Sequence, residues 1–149
     1  MQFLRVVFMA AMAAIAVPQH LSGPDVVAVQ GVVDGNTVVL ATYGHVRLAG
    51  IHAPRIARRG FDGEPFAREA SARLEGLVGR RFVRLEFPSA TSRASAWVVL
   101  DDGTFVNALL VAEGLARVSG RPGGPRGEEL ARAQARAQQA RVGIWSGRP

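Results

Sequence analysis

Between Val26 and Gly50 the chain is written in short β-branched runs broken by turn residues, and no other feature limits its fold so tightly. Val26-Val27-Ala28-Val29 and Val32-Val33 are apolar, Asp34-Gly35-Asn36 is a turn cluster, and Thr37 to Leu40 resumes the apolar run. A tight turn at Tyr43-Gly44 leads into a third run, His45 to Ala49. β-Branched side chains suit a pleated strand, whereas Asp, Gly and Asn supply turn conformations. Runs this short and this closely punctuated predict an antiparallel meander.

Ile51 to Gly63 reads as a loop rich in Arg, Gly and Pro. From Glu64 the period becomes helical: Phe66, Ala70, Leu74, Leu77 and Val78 share a face, Pro65 suits a first-turn position and Gly79 a stop. Phe82 to Phe87 alternates as a strand with Val83, Leu85 and Phe87 on one face. Ala96 to Leu100 is a further strand, ended by Asp101-Asp102-Gly103. Val106 to Glu113 predicts a short helix, Ala116 to Val118 an extended piece, and Ser119 to Gly127 a Gly/Pro loop. Glu128 to Arg141 predicts a last helix with acids in its first turn, and Gly143-Ile144-Trp145 a segment packing it onto the rest. The order βββ-α-ββ-α-α predicts an α+β, mainly β fold: a five-stranded OB-fold barrel with three helices.

A chain of 149 residues suits one domain with a real core. Cysteine is absent, which excludes disulfides, thiolate metal sites and a cysteine nucleophile. The net charge is +6 and every fixed cation is arginine. Arginine forks suit phosphate, but a general replacement of lysine by arginine explains the bias more simply. The basic balance alone is therefore a weak argument for an anionic partner.

At the N-terminus Arg5 precedes an apolar run from Val6 to Val17, and Ala14-Ile15-Ala16 has the form of a cleavage site. The run is shorter than the ~20 residues that span a bilayer. The expectation is a signal peptide at 1–16, a flexible leader at 17–25 and the folded domain at 26–147. The mature chain would be secreted or periplasmic, monomeric and without a stable membrane span.

Several motifs then carry a family resemblance. Asp34-Gly35-x-Thr37, Arg47-Leu48-x-Gly50-Ile51-x-x-Pro54, Asp102-Gly103-x-x-Val106-Asn107-x-x-Leu110-Val111-x-x-Gly114-Leu115-Ala116 and Gly143-Ile144-Trp145 occur in order from about Val26 to Trp145. Together they resemble the thermonuclease (staphylococcal nuclease) family. The resemblance implies a calcium-dependent phosphodiesterase in active members: two aspartates on the metal, a glutamate activating water, and two arginines on the phosphate. Calcium wants hard oxygen ligands, the base must accept a proton, and guanidinium forks match phosphoryl oxygens.

The chain departs from that pattern where the chemistry is densest. Asn36 occupies the first metal-ligand position, His52 the second, and Arg55 the position of the general base, with Ala53 before Pro54. Arg47 matches the first phosphate-binding arginine; for the second the nearest candidate is Arg93, with Ala94 the other alignment. Arginine, effectively always protonated, cannot act as the base. A like charge a few ångströms from a cation costs about 4 kcal/mol at an effective dielectric of 20. The expectation is no intact catalytic set, no metal and no cofactor. Arg47, Arg55 and Arg93 would remain as phosphate-binding residues, with Arg58 and Arg59 at the rim.

Asp34 reads as a brace for its turn, and Phe82, Phe87, Trp97 and Trp145 read as core rather than as a base-stacking platform. The resulting expectation is a binding module for nucleic acid, another polyanion or an envelope protein. The alternative is a phosphodiesterase with an altered site, its acid or base recruited from Asp34, Asp62, Glu64 or Glu69.

Overall fold

The computed structural model describes residues 25–148. The proposed signal peptide at 1–16 and nearly all of the leader at 17–25 lie outside the described residues. The element order is β1 (Val26–Asp34), β2 (Thr37–Leu40), β3 (Gly44–Leu48), β4 (Ile51–His52), α1 (Ala67–Val78), β5 (Phe82–Glu86), β6 (Ser95–Val99), α2 (Val106–Ala112), β7 (Arg117–Val118) and α3 (Gly124–Ala140), followed by a 3-10 turn at Gly143–Trp145.

Five strands close a barrel in the order β1-β2-β3-β6-β5. The meander β1-β2-β3 is antiparallel, β3 meets β6 in parallel, and β6-β5-β1 completes the ring antiparallel. This is the OB-type barrel with three helices that the order of runs predicts. β1 can pair with β2 and β5 at different points because its register shifts between Val29 and Gly31 and again between Val32 and Asp34. Such irregularities bend a strand and increase its twist, which closing a small barrel requires.

The alternating side chains fill the interior. Val27, Val29, Val38, Leu40, Val46, Leu48, Val83, Leu85, Val98 and Val99 are buried in one core with Leu74 and Val78 of α1 and Leu110 and Val111 of α2. Asn107 is the polar exception on α2. Its Oδ1 accepts the Val98 N–H at 3.0 Å, and its Nδ2 donates to the carbonyls of Ala49 (2.9 Å) and Ala96 (3.4 Å). It thereby pairs the Val98 N–H and the Ala49 carbonyl at the end of the β3–β6 pairing, where the Ala96 carbonyl also accepts the Ala49 N–H at 2.8 Å.

Three local expectations are corrected. Ile51 and His52, read as loop, form β4 and pair antiparallel with Val118 and Arg117. Two residues are too few for a period to show, and the pairing partner lies far along the chain. The first helix begins at Ala67, not at Pro65, because Phe66 precedes it in the left-handed region with φ 68°. The last helix starts earlier than Glu128, at Gly124, with Pro125 in its first turn, so that first turn holds no acid. Arg126 then grips Glu86 of β5 through two bonds of 2.9 and 3.0 Å and lies 4.3 Å over the Phe105 ring.

The aromatic residues divide. Trp97 is buried edge-on to Phe105, with ring centroids 5.7 Å apart. Phe82, Phe87 and Trp145 are half-buried. Phe87 meets Tyr43 edge-on at 5.3 Å, and Trp145 lies beneath the Arg117 guanidinium at 5.8 Å.

Candidate functional site

The turn between β1 and β2 is braced from within. Asp34 Oδ1 accepts the Asn36 N–H at 3.0 Å, the two-residue side-chain turn expected of aspartate. Asn36 is buried, its Nδ2 donates to the Ile51 carbonyl at 3.2 Å, and its own carbonyl accepts the Leu48 N–H at 2.8 Å. Gly35 passes so close to α1 that an added Cβ would stand 2.7 Å from the Cβ atoms of Ala53 and Ala70. Asn36 is thus a stitch between the turn, β3 and β4. Among the described residues no group of three His, Cys, Asp or Glu could hold a metal ion. One neutral amide, one aspartate that braces a turn, an imidazole and a guanidinium are a poor donor set for a hard divalent cation, which seeks several oxygens, preferably charged.

Arg47 lies on the exposed side of β3, opposite Thr37 and Ser95, and its backbone N–H donates to Ala94 at 3.0 Å. Its guanidinium has no hydrogen-bond or ion-pair partner among the described residues. Arg93 is turned to other partners: Nη1 donates to the Ser89 carbonyl at 3.2 Å, and the guanidinium stacks 4.2 Å from the Phe87 ring.

Arg55 is held in place by three contacts from two residues. Glu64 Oε2 accepts its backbone N–H at 2.6 Å and its Nε at 3.2 Å, and the guanidinium lies 4.7 Å over the Phe61 ring. Phe61 is positioned by paired backbone bonds with Arg58 of 2.8 and 2.9 Å, a small hairpin within the loop. The Arg55 backbone N–H is the main reason the Glu64 carboxyl titrates below its ordinary range; the Arg55 side chain and the His52 charge add to this, and desolvation opposes it. Glu64 is accordingly a carboxylate, and a weaker proton acceptor than an unperturbed glutamate.

Two cavities meet at Arg55. One, of about 380 Å³, is bounded by Asp34, Arg55, Ile56, Arg58, Arg59 and Phe61. The other, of about 480 Å³, is bounded by His52, Arg55, Glu64 and Arg117, by Pro54, Pro65 and Phe66, and by Ile144 and Arg148 from the C-terminal segment. The structure therefore brings Arg55 together with His52 on one side and with Arg58 and Arg59 on the other. Arg47 and Arg93 line neither cavity.

The sequence has counterparts among known proteins. The family model described as staphylococcal nuclease homologue matches residues 45–147, most of the described domain. The chain belongs to the staphylococcal nuclease family. A thermonuclease of Staphylococcus hyicus is 31% identical over 123 residues, covering 77% of this chain and 72% of that protein. A probable endonuclease LCL3 of Scheffersomyces stipitis is 29% identical over 111 residues, covering 68% of this chain and 47% of that protein. Its namesake in Arthroderma otae is 34% identical over 113 residues, with 68% and 40% covered. The chain spans less than half the length of these two fungal relatives.

Within the staphylococcal nuclease fold, sequence reading placed His52 and Arg55 in the site but did not find Arg117, Arg148, Phe66 or Ile144. Arg117 arrives only through the β4–β7 pairing, opposite His52. Arg148 and Ile144 arrive through the packing of the C-terminal turn, where the Ile144 N–H donates to the Gly114 carbonyl at 2.8 Å. The Gly143-Ile144-Trp145 motif was the available signal, since it marks a segment that must dock.

Proposed function

We propose that this chain is an exported member of the family that binds nucleic acid, or a polyanion like it, without hydrolysing it by the calcium route. The observation that carries the reading is Arg55. It stands where the family pattern calls for the general base, and it is clamped by Glu64 and Phe61 beside Arg58 and Arg59. A guanidinium there cannot take a proton from water, but it can donate paired hydrogen bonds to a phosphodiester. Asn36, whose amide nitrogen is spent on Ile51, offers no negative charge to a cation. Arg47, without a partner among the described residues, supplies a further donor from β3. Export rests on the charged-then-apolar start of the chain followed by Ala14-Ile15-Ala16.

One observation favours a second reading, an altered phosphodiesterase: Glu64, an acid, faces the same cavity as His52 and Arg117. Its lowered pKa weighs against a role as base.

The two readings separate in one experiment. The purified chain is incubated with labelled single-stranded DNA in calcium, magnesium, manganese or chelator, and binding is followed by fluorescence anisotropy against salt. The proposal expects intact DNA under every condition and an affinity that falls with salt, as phosphate contacts demand. Metal-dependent cleavage that survives Arg55→Ala and disappears in Asp34→Ala would establish the altered enzyme. Salt-independent binding, or none, would leave a protein partner as the remaining role.

A further inference from the structure

We propose that the cavity behind Arg55, bounded by His52, Arg117, Arg148 and Phe66, is a separate binding site for a phosphomonoester that carries an apolar or planar body. The reading above concerns the diester backbone on the side of Arg47, Arg58 and Arg59. This site shares Arg55 as a wall but takes its free charge from Arg117 and Arg148, so it does not depend on that reading.

The walls are built by contacts far apart in sequence. β4 and β7 set His52 directly opposite Arg117. Gly114 and Gly143 approach so closely that a Cβ on either would stand 2.3 or 2.1 Å from a backbone oxygen of the opposing segment, which pins the turn leading to Arg148. Phe66 closes another side in the left-handed conformation, φ 68°. A non-glycine residue held there costs roughly 1–2 kcal/mol, and such strain collects where a structure over-determines a site. The volume of about 480 Å³ is of the size that encloses a small organic ligand.

Charge selects the ligand class. Three guanidinium groups and one carboxylate line the cavity. The Arg55 and Glu64 charges offset one another through their direct ion pair. Arg117 lies over the Trp145 ring, and neither it nor Arg148 has a carboxylate partner among the described residues. Two fixed positive charges are therefore unmatched among the described residues. A diester or a simple carboxylate brings a single negative charge, whereas a phosphomonoester carries about −1.5 to −2 near neutral pH. Guanidinium forks also match the oxygen geometry of a terminal phosphate. The rest of the lining, Pro54, Pro65, Phe66 and Ile144, is apolar and would cover the organic part. Such a group is found both on small organic phosphates and on the phosphorylated end of a nucleic-acid strand.

Isothermal titration of the full chain with adenosine 5′-monophosphate, adenosine, and short oligothymidylates bearing either a 5′-phosphate or a 5′-hydroxyl tests the site and its source. The phosphate-bearing probe should lose about tenfold or more in affinity in Arg117→Gln and in Arg148→Gln, the scale of one charge-assisted hydrogen bond. The exposed Arg136→Gln, on α3, should leave it unchanged. Arg148 lies outside helices and strands, so its variant keeps the test valid if Arg117→Gln unfolds. Tight binding of the monophosphate with equal binding of the two oligonucleotides identifies a small organic phosphate. A gain confined to the 5′-phosphorylated strand identifies the strand end. The site is refuted if neither phosphate binds, if adenosine binds as well as its monophosphate, or if both arginine variants bind like the parent. Retained binding of the 5′-hydroxyl strand in those variants would show the diester reading intact when this one fails.

Discussion

Glu64 and Arg55, nine positions apart, close the loop between β4 and α1 through one carboxylate oxygen, which accepts the Arg55 backbone N–H at 2.6 Å and its Nε at 3.2 Å. The pair anchors a guanidinium at the position that the family resemblance aligns with a catalytic base. It also holds together the segment that separates the two cavities.

The pair makes the loop sensitive to acid. The Glu64 pKa is lowered in the folded protein, first by the Arg55 backbone N–H. A depressed carboxyl contributes stability above its unfolded pKa and loses it as pH falls through the folded value. Glu64→Gln should therefore cost stability near neutral pH, by less than about 1 kcal/mol because the pair is exposed to solvent. That difference should vanish in acid, once the parent's Glu64 is protonated too. Urea unfolding of both proteins over an acid series checks this, and a gap independent of pH would contradict it.

Asn107 tests the barrel seam. Asn107→Ala would leave the Val98 N–H and the Ala49 carbonyl buried without their partner. The expected loss is about 3 kcal/mol, from unpaired buried polar groups. Denaturant unfolding measures it, and a loss below half that value would mean that water replaces the amide.

Gly114 tests how the C-terminal wall is set. It has φ 70°, and a Cβ would stand 2.3 Å from the Val142 oxygen. Gly114→Ala should destabilise the fold by about 2 kcal/mol or more, combining backbone strain with overlap. Amide shifts should move most over 142–148. Changes spread evenly over the barrel would argue that Gly114 acts elsewhere.

Arg58 and Arg59 test the backbone-binding face. If each engages a phosphate, the double variant Arg58→Gln/Arg59→Gln should flatten the plot of log affinity against log salt for single-stranded DNA, by roughly 0.7 for each phosphate no longer neutralised. Anisotropy titrations at several salt concentrations give the slope. An unchanged slope would place the strand on another face.

Much of the fold was legible from local pattern. The interrupted β-branched runs of Val26 to Leu48 fold as the meander they spell, and Val83 and Leu85 point inward as their alternation requires. The helical period of Ala70, Leu74, Leu77 and Val78 is the buried face of α1. Where sequence reading slipped, the deciding contacts were distant. Phe66 fits the helical period yet stands outside the helix, in a conformation that spacing alone cannot reveal.

The candidate site divides in the same way. Residue identity alone determined that a guanidinium, an imidazole and an amide stand at positions 55, 52 and 36, which the family resemblance aligns with carboxylates. That is a matter of side-chain chemistry alone. Which groups surround them is a matter of closure: the β4–β7 pairing and the Gly114–Gly143 contact bring Arg117 and Arg148 to His52 from more than sixty positions away. Periodicity reports only which face of an element is buried. The partner waiting on that face is chosen by long-range packing, so the second cavity exists only in the tertiary structure.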